Sequence, residues 1–283
     1  ARVTASHASI SITSGSSESD YFHAGIRLFS YCGGLEKQPQ MSSASSAWCG
    51  MPVSILDILV IPVLIGSMII VSIIDMLTGG HLHDWLSIKP RALNGLPGLF
   101  CAPFLHMSYT HLIRNMVPLT ALSILLLMML ATLHSPAWRP FLGLCSAVAF
   151  SGNVIVWLVA RPNTEHAGAS GLVFSLAGIL LVAGIVEAIS LGWPPQCSMR
   201  ALVTMGCTVV TFCLYGGLLW GLAPTAWFAQ GVSVEGHVAG FVTGAMGGCL
   251  LAYHVRGRLP SIMSRVVFGT PAKAERLQYG VVS

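Results

Sequence analysis

The chain has 283 residues, of which 54% are hydrophobic and only 8% are charged, and its formal net charge is +4. Soluble domains carry about 25% charged residues, so this composition excludes a soluble globular protein and indicates that most of the chain contacts lipid. The small basic excess is concentrated toward the tails, which is typical of an orientation signal and not of a nucleic-acid-binding surface.

The first apolar segment is preceded by residues 1–50, which include a Ser-rich run from Thr4 to Ser19. Such a composition buries too little apolar surface to offset the entropy of ordering, so we predict a disordered N-terminal tail. A basic stretch followed by an apolar run is absent from this region, and no cleavable signal peptide is predicted.

Six apolar segments are long enough to cross a bilayer, because a helical span requires about 20 mostly apolar residues. They predict an all-α membrane protein, a six-transmembrane-helix bundle over residues 51–255, followed by a basic C-terminal tail over residues 256–283. The predicted spans are Ile55–Leu77, Leu105–Leu133, Pro140–Ala160, Gly168–Leu191, Ala201–Leu222 and Gly236–Tyr253. The first loop, Thr78–Phe104, is long and irregular, and we expect interfacial elements there with Trp85 as an anchor.

The placement of Lys and Arg predicts the orientation of this bundle. With six spans both tails lie on one side, which holds ten basic residues against three on the other, namely Lys89, Arg91 and Arg161. The positive-inside rule therefore predicts that both termini are cytoplasmic. We expect an integral multi-pass protein, with the plasma membrane favoured over other membranes.

The second, fourth and sixth spans cross the membrane in the same direction, from the outer side inward. His106, His111 and Asn115 lie on or just before the first turns of the second span, Ser170 opens the fourth, and His237 opens the sixth. The alternation of the spans therefore predicts that these five side chains lie in one leaflet, near the outer face.

Ser170 and His237 are the candidate catalytic pair. A serine nucleophile needs a base to take its proton, and imidazole titrates near neutral pH. Gly168 precedes the serine, and Gly240 with Gly244 forms a small-residue face behind the histidine, so the two helices can approach closely. Taken singly, the serine also fits ordinary helix packing, and the histidine also fits an interfacial hydrogen bond.

His111 and Asn115 are four residues apart and share one helix face, from which both can donate hydrogen bonds to an oxyanion. Asn115 could instead form only an interhelical hydrogen bond that stabilises the bundle. We expect His106 to orient His111 or to brace the loop. Glu165 and Glu235 are expected at the outer surface, so a Ser–His dyad is a simpler interpretation than a triad.

The histidines do not predict a metal site. His81 and His83 lie in the first loop, and His106, His111 and His237 could converge, but no carboxylate or thiolate with ligand spacing accompanies them. The eight cysteines form no CxxC pair, and we expect them to pack as small apolar residues.

The order of these motifs resembles that of the rhomboid family of intramembrane serine proteases. The resemblance covers roughly residues 55–254 and rests on Ala102-Pro103-Phe104-Leu105-His106, His111-Leu112-Ile113-Arg114-Asn115, Gly168-Ala169-Ser170-Gly171, and His237 with Gly240 and Gly244. It implies a rhomboid-like bundle in which Ser170 attacks the scissile carbonyl and His237 acts first as base and then as acid.

The resemblance also implies how the reaction is supported. His111, Asn115 and the backbone N–H of Ser170 would hold the oxyanion, and Gly168 would shape the same pocket. Substrates would be single-pass or other transmembrane proteins cut near the membrane surface, and no metal or cofactor would be needed. The fifth helix with its following loop, around Trp220 to Ser233, would form the lateral gate and cap.

Two positions depart from the family pattern. Many rhomboids carry a Trp-Arg pair in the first loop, whereas Trp85 is followed by Leu86 here. Many members have a tyrosine four residues after the catalytic serine, whereas this chain has Phe174. The ring that stacks on the catalytic histidine is therefore kept and its hydroxyl is lost, which leaves both groups of the dyad intact.

Two other functions fit the sequence less well. One is a catalytically inactive rhomboid-like protein that binds and routes membrane proteins, against which the intact dyad argues. The other is a small transporter, for which Asp57, Asp75 and Glu187 are the candidate carboxylates. The inner half of the bundle has no polar series comparable to that of the outer half, which argues against transport. The sequence gives no indication of the oligomeric state.

Overall fold

The computed structural model describes residues 54–190, 199–217, 222, 233–257 and 260–268. The predicted N-terminal tail and residues 269–283 of the predicted C-terminal tail lie outside this part of the chain. The domain boundaries at residues 50 and 255 therefore stay predictions.

The described residues are mainly helical and contain no β-strand. The α-helices in chain order are α1 (Ile55–Leu77), α2 (His81–Leu86), α3 (Gly98–Cys101), α4 (Tyr109–Ala131), α5 (Trp138–Val159), α6 (Ser170–Ser190), α7 (Met199–Tyr215), α8 (Val234–Val255) and α9 (Ser261–Phe268). Two 3₁₀ helices, Leu93–Gly95 and Ala102–Phe104, flank α3.

Among the described residues, five helices are long and apolar enough to cross a membrane: α1, α4, α5, α6 and α8. They correspond to five of the six predicted spans and confirm an all-α, multi-pass membrane bundle. The fifth predicted span, Ala201–Leu222, overlaps α7, a 17-residue α-helix that ends at Tyr215. Gly216 and Gly217 follow it in 3₁₀ conformation, and residues 218–221 of the predicted span lie outside the described residues.

The second and fourth predicted spans, given to within a few residues, begin before the helices to which they correspond. The second span begins at Tyr109 and not at Leu105, because the Ser108 hydroxyl caps α4 by accepting the N–H of His111 at 3.2 Å. The fourth span begins at Ser170, because Gly168 has a φ of 114° and cannot continue a helix. His106 and Gly168 therefore lie in the segments that lead into α4 and α6.

Helix α6 is the centre of the bundle. In the most apolar part of α6, 67% of the residues are buried, against 17% in the corresponding part of α1. α6 packs most extensively against α8 and also contacts α7, α4 and α5. The position of Ser170 at the start of this central helix brings it close to several other helix ends.

Helices α6 and α8 meet backbone to backbone. A Cβ at Gly240 would overlap the carbonyl oxygen of Gly171, and a Cβ at Gly244 would overlap that of Ser175. The Ser175 hydroxyl lies 3.0 Å from the carbonyl oxygen of Gly171 and 2.9 Å from that of Gly240, and it can donate to either. Small residues on both helices permit this approach, which fixes the separation of their first turns.

The first loop is attached to the segment that precedes Ser170. Ile88 and His166 exchange two backbone hydrogen bonds, of 2.9 and 3.0 Å, and the Gly168 N–H donates to the carbonyl of Ala102 at 2.8 Å. Trp85 in α2 is 75% exposed, as an interfacial anchor requires. The loop thus holds the entry to α6 from one side.

Helix α9 lies at the opposite end of the bundle and packs against α5. Its Phe268 ring stacks on His254 at a centroid distance of 4.3 Å, and His254 stacks on His134 at 5.1 Å. Part of the predicted C-terminal tail is therefore a helix that is packed on the membrane domain.

Candidate active site

One cavity of about 520 Å³ is lined by Ser170, His237, His111 and Asn115. These side chains lie near the starts of three helices, α6, α8 and α4, at one end of the bundle. His106 contacts the same group from behind, since its ring lies 5.2 Å from that of His111. The five residues that the topology placed in one leaflet therefore lie together, and their catalytic roles stay predictions.

Ser170 is the first residue of α6 and is half-buried in the cavity wall. The first N–H groups of a helix have no partner within the helix, so the backbone of this turn can donate to a bound group. The Ser170 hydroxyl and the backbone N–H groups that can donate hydrogen bonds therefore belong to the same turn of α6.

The imidazole of His237 lies flat on the ring of Phe174, with ring centroids 4.2 Å apart and an interplanar angle of 18°. Phe174 is one turn after Ser170 on α6 and is buried. This stacking fixes the imidazole plane against the helix turn that carries the serine. The phenylalanine therefore supplies the aromatic surface that the sequence predicted.

His111 packs over Gly168. A Cβ at Gly168 would lie 2.9 Å from Cε1 and 3.2 Å from Nε2 of His111, closer than ordinary contact. Glycine is therefore required at position 168 both for this space and for its positive φ. Asn115 is 5% exposed, and its amide donates to the backbone carbonyl of His111 at 3.0 Å. An amide nitrogen has two N–H groups, so this bond leaves it one further donor.

His106 connects α1 to the residue before Ser170. Its Nδ1 lies 2.8 Å from the Ser72 hydroxyl, which donates to the carbonyl of Phe104 at 2.9 Å, and its Nε2 accepts the N–H of Ala169 at 3.3 Å. Because the Ser72 proton is already used, Nδ1 must carry the imidazole proton, and the neutral ring satisfies all three bonds. Burial and the nearby His111 lower the pKa of His106 to about 4.

His166 was not predicted from the sequence as part of the site; it is 7% exposed and lies in the segment before Ser170. Its Nδ1 is 2.7 Å from the hydroxyl of Ser233, and its Nε2 is 2.8 Å from that of Thr164. Burial lowers the pKa of His166, the Glu235 carboxylate opposes this shift, and the Arg161 guanidinium adds to it. A histidine four residues before the serine was the available signal, but its partner Ser233 is too distant in sequence to be identified from spacing.

The two glutamates near the cavity form ion pairs. Glu235 binds Arg161, with Nε and Oε1 2.7 Å apart, and Glu165 lies 3.4 Å from Lys89 and 3.5 Å from His83. Within the described residues, no three His, Cys, Asp or Glu side chains are placed to hold a metal ion.

The three carboxylates considered for transport have structural partners at helix ends. The Asp57 carboxylate accepts the N–H of Ser54, the N-cap of α1, at 2.9 Å and the N–H of Trp138 at 2.7 Å, and Asp75 accepts that of His83 at 3.1 Å. Glu187 pairs with Arg200 at 2.9 Å. These contacts account for the three acidic groups without a polar path across the bundle.

The fold and the cavity together define an integral membrane protein of several helices, with polar side chains gathered near one end of the bundle. Residues 94–254, more than half of the chain, match the sequence profile of the Rhomboid domain. This protein therefore belongs to the rhomboid family.

Its mycobacterial relatives are similar over a comparable region. Uncharacterised proteins of Mycobacterium bovis and Mycobacterium tuberculosis are 34% identical over 188 residues, which is 65% of this chain and 70% of each relative. One of Mycobacterium leprae is 32% identical over 188 residues, 65% of this chain and 66% of the relative. Their names state no activity. Of the predicted gate and cap, the fifth helix is described as α7, whereas the following loop around Trp220 to Ser233 lies outside the described residues apart from Leu222 and Ser233.

Proposed function

We propose that this protein is an intramembrane serine endopeptidase that cleaves transmembrane or membrane-proximal segments of other membrane proteins. The observation that carries the proposal is the single cavity shared by Ser170, His237, His111 and Asn115. A serine, an imidazole fixed by stacking, and two side-chain donors are the groups that acyl transfer requires.

In the first half of the reaction, Ser170 Oγ attacks the carbonyl carbon of the scissile peptide while His237 takes the serine proton. The carbonyl oxygen becomes an oxyanion, which the N–H of Ser170, the Asn115 amide and the His111 ring stabilise. When the C–N bond breaks, His237 returns the proton to the departing amine, and an acyl-enzyme ester is left on Ser170.

In the second half, water attacks the ester while His237 takes its proton and then returns it to Ser170. The products are a new carboxylate, a new amine and the free enzyme. The polar rim of the cavity, with Arg161 and Thr164 among its lining residues, supports entry of this water from the end of the bundle.

The dyad operates without a carboxylate in this proposal. In a triad the acid fixes the tautomer and orientation of the histidine. Here the Phe174 ring under His237 supplies the orientation, and Glu235 is held by Arg161. The predicted cytoplasmic termini would place the cavity on the outer side of the membrane, so cleavage products would be released there.

The test is cleavage of a fluorogenic single-pass substrate by purified protein in liposomes, with Ser170→Ala and His237→Ala as matched variants. Loss of about 10⁴-fold or more in each variant is expected for members of one catalytic unit. Full cleavage by either variant contradicts the dyad. If the folded wild type binds the substrate and leaves it intact, the protein is a rhomboid-like binding protein and not a protease.

A further inference from the structure

His166 joins two segments that carry the proposed catalytic groups. It lies in the segment leading to Ser170, where its backbone pairs with Ile88 of the first loop. Its side chain crosses to Ser233, the residue that caps α8, and the Nδ1 to Oγ distance is 2.7 Å. One buried imidazole therefore contacts both the serine segment and the start of the histidine helix.

The hydrogen bonds around this imidazole fix the position of every proton. The Thr164 hydroxyl donates to the carbonyl of Arg161 at 2.6 Å, so its oxygen must accept from Nε2–H of His166 at 2.8 Å. Nδ1 is then unprotonated and accepts the hydroxyl proton of Ser233. The neutral Nε2–H tautomer satisfies both bonds at once.

Ser233 transmits this contact directly to α8. Its hydroxyl oxygen accepts the N–H of Gly236 at 3.1 Å, and its carbonyl accepts the N–H of His237 at 3.1 Å. The hydroxyl that caps the helix is therefore the same group that donates to His166. Rotation or loss of this hydroxyl would release the first turn of α8, which carries the His237 ring.

We propose that His166 is a positioning residue that holds the first turn of α8, and with it His237, in register with Ser170. This inference rests on the proposed function for its effect on the reaction. This positioning role explains why a buried polar side chain lies in this segment, although an apolar residue would pack there without needing two hydrogen-bond partners. His166 and Ser233 line the same cavity as Ser170 and His237, and in this role His166 acts on His237 through Ser233.

Two conservative variants separate the two halves of this contact. His166→Asn places an amide oxygen near the Nδ1 position, where it can still accept from Ser233. His166→Gln places its amide near the Nε2 position, where it can still donate to Thr164 but does not reach Ser233. His81→Gln changes an exposed histidine in α2 and serves as the control.

In the cleavage assay, we expect His166→Gln to lower kcat by about 10- to 100-fold with KM within twofold, because a misplaced base slows chemistry without weakening binding. His166→Asn should retain kcat within about threefold. Ser233→Ala should lower kcat at least as much as His166→Gln, because it also removes the cap on the Gly236 N–H. The double variant should be little worse than Ser233→Ala alone, since both substitutions remove the contact between His166 and Ser233.

Amide hydrogen exchange at His237 tests the same contact without any activity. Loss of the Ser233 tie should speed this exchange about tenfold in His166→Gln, which corresponds to about 1.4 kcal/mol, and should leave it unchanged in His166→Asn and His81→Gln. If the wild type is inactive and the variants still show this exchange pattern, the proposed protease function is refuted and the positioning role is supported. Equal kcat and equal exchange in His166→Gln and the wild type overturn the positioning role alone.

Discussion

Gly240→Ala adds one methyl group to the contact that sets the distance between the two candidate catalytic helices. Gly240 lies three residues after His237 on α8, and it rests on Gly171, the residue after Ser170 on α6. A Cβ at Gly240 would overlap the carbonyl oxygen of Gly171 and lie 2.9 Å from its carbonyl carbon. Both are backbone atoms, so no side-chain rotation relieves the overlap.

The size of the effect follows from this geometry. Carbon atoms in contact settle at about 3.5–4.0 Å, so α8 must move away from α6 by roughly 1 Å. A displacement of this size between a nucleophile and its base is expected to lower kcat about 100-fold. Overpacking costs about 1–3 kcal/mol and the better helix propensity of alanine offsets about 0.5–1 kcal/mol, so the free energy of unfolding should fall by up to roughly 2.5 kcal/mol.

The assay measures kcat on a fluorogenic single-pass substrate and thermal unfolding in the same detergent, for the wild type, Gly240→Ala and Gly206→Ala. Gly206 in α7 is the matched control, because a Cβ there would meet no atom within 4 Å outside the backbone of its own helix. The control should keep wild-type kcat, and its free energy of unfolding should rise by about 0.5–1 kcal/mol from the better helix propensity of alanine. A Gly240→Ala protein with wild-type kcat and wild-type stability refutes the argument that this backbone contact sets the site geometry.

Three further predictions concern the residues around the dyad. In Gly168→Ala, the added Cβ would lie 2.9 Å from Cε1 of His111, at a residue whose φ is 114°. It should displace that ring and lower kcat by about 10²–10³-fold, as loss of one oxyanion donor does. Unchanged kcat would contradict the assigned role of His111. Phe174→Leu should lower kcat by up to about tenfold with little change in KM, whereas Phe174→Tyr should keep it, because an aromatic contact contributes about 0.5–1.5 kcal/mol. His106 stays neutral in the fold with a pKa of about 4 but has one of 6.5 when unfolded, so the unfolded state binds more protons between these values and stability should fall as pH drops through that range. The full loss is about 3 kcal/mol, measured as thermal unfolding against pH, and an equally steep acid loss in His106→Gln would contradict it.

The sequence predicted the elements whose signal is local. Apolar length identified α1, α4, α5, α6 and α8, because a bilayer requires a continuous run of apolar residues. The alternation of the spans was sufficient to predict that Ser170 and His237 lie in the first turns of two helices at the same end of the bundle. Such signals depend only on residues that are neighbours along the chain.

The parts that sequence missed depend on contacts between distant residues. The hydrogen bond of His166 with Ser233 joins residues that are far apart in the sequence. The position of the proton on the His106 ring depends on Ser72 in α1. Helix starts were misplaced where a cap decided them, as at Ser108. The ion pair of Glu235 with Arg161 could not be predicted from sequence spacing, because the two charged residues belong to separate parts of the chain.

The mass of the folded protein after reaction with a fluorophosphonate tests whether Ser170 is a nucleophile activated by His237. We expect a single covalent adduct on Ser170 in the wild type and none in Ser170→Ala. The rate in His237→Ala should be at least about 100-fold lower, since removal of the base leaves the hydroxyl protonated. An adduct on a different residue, or equal labelling of Ser170 in His237→Ala, would contradict this expectation.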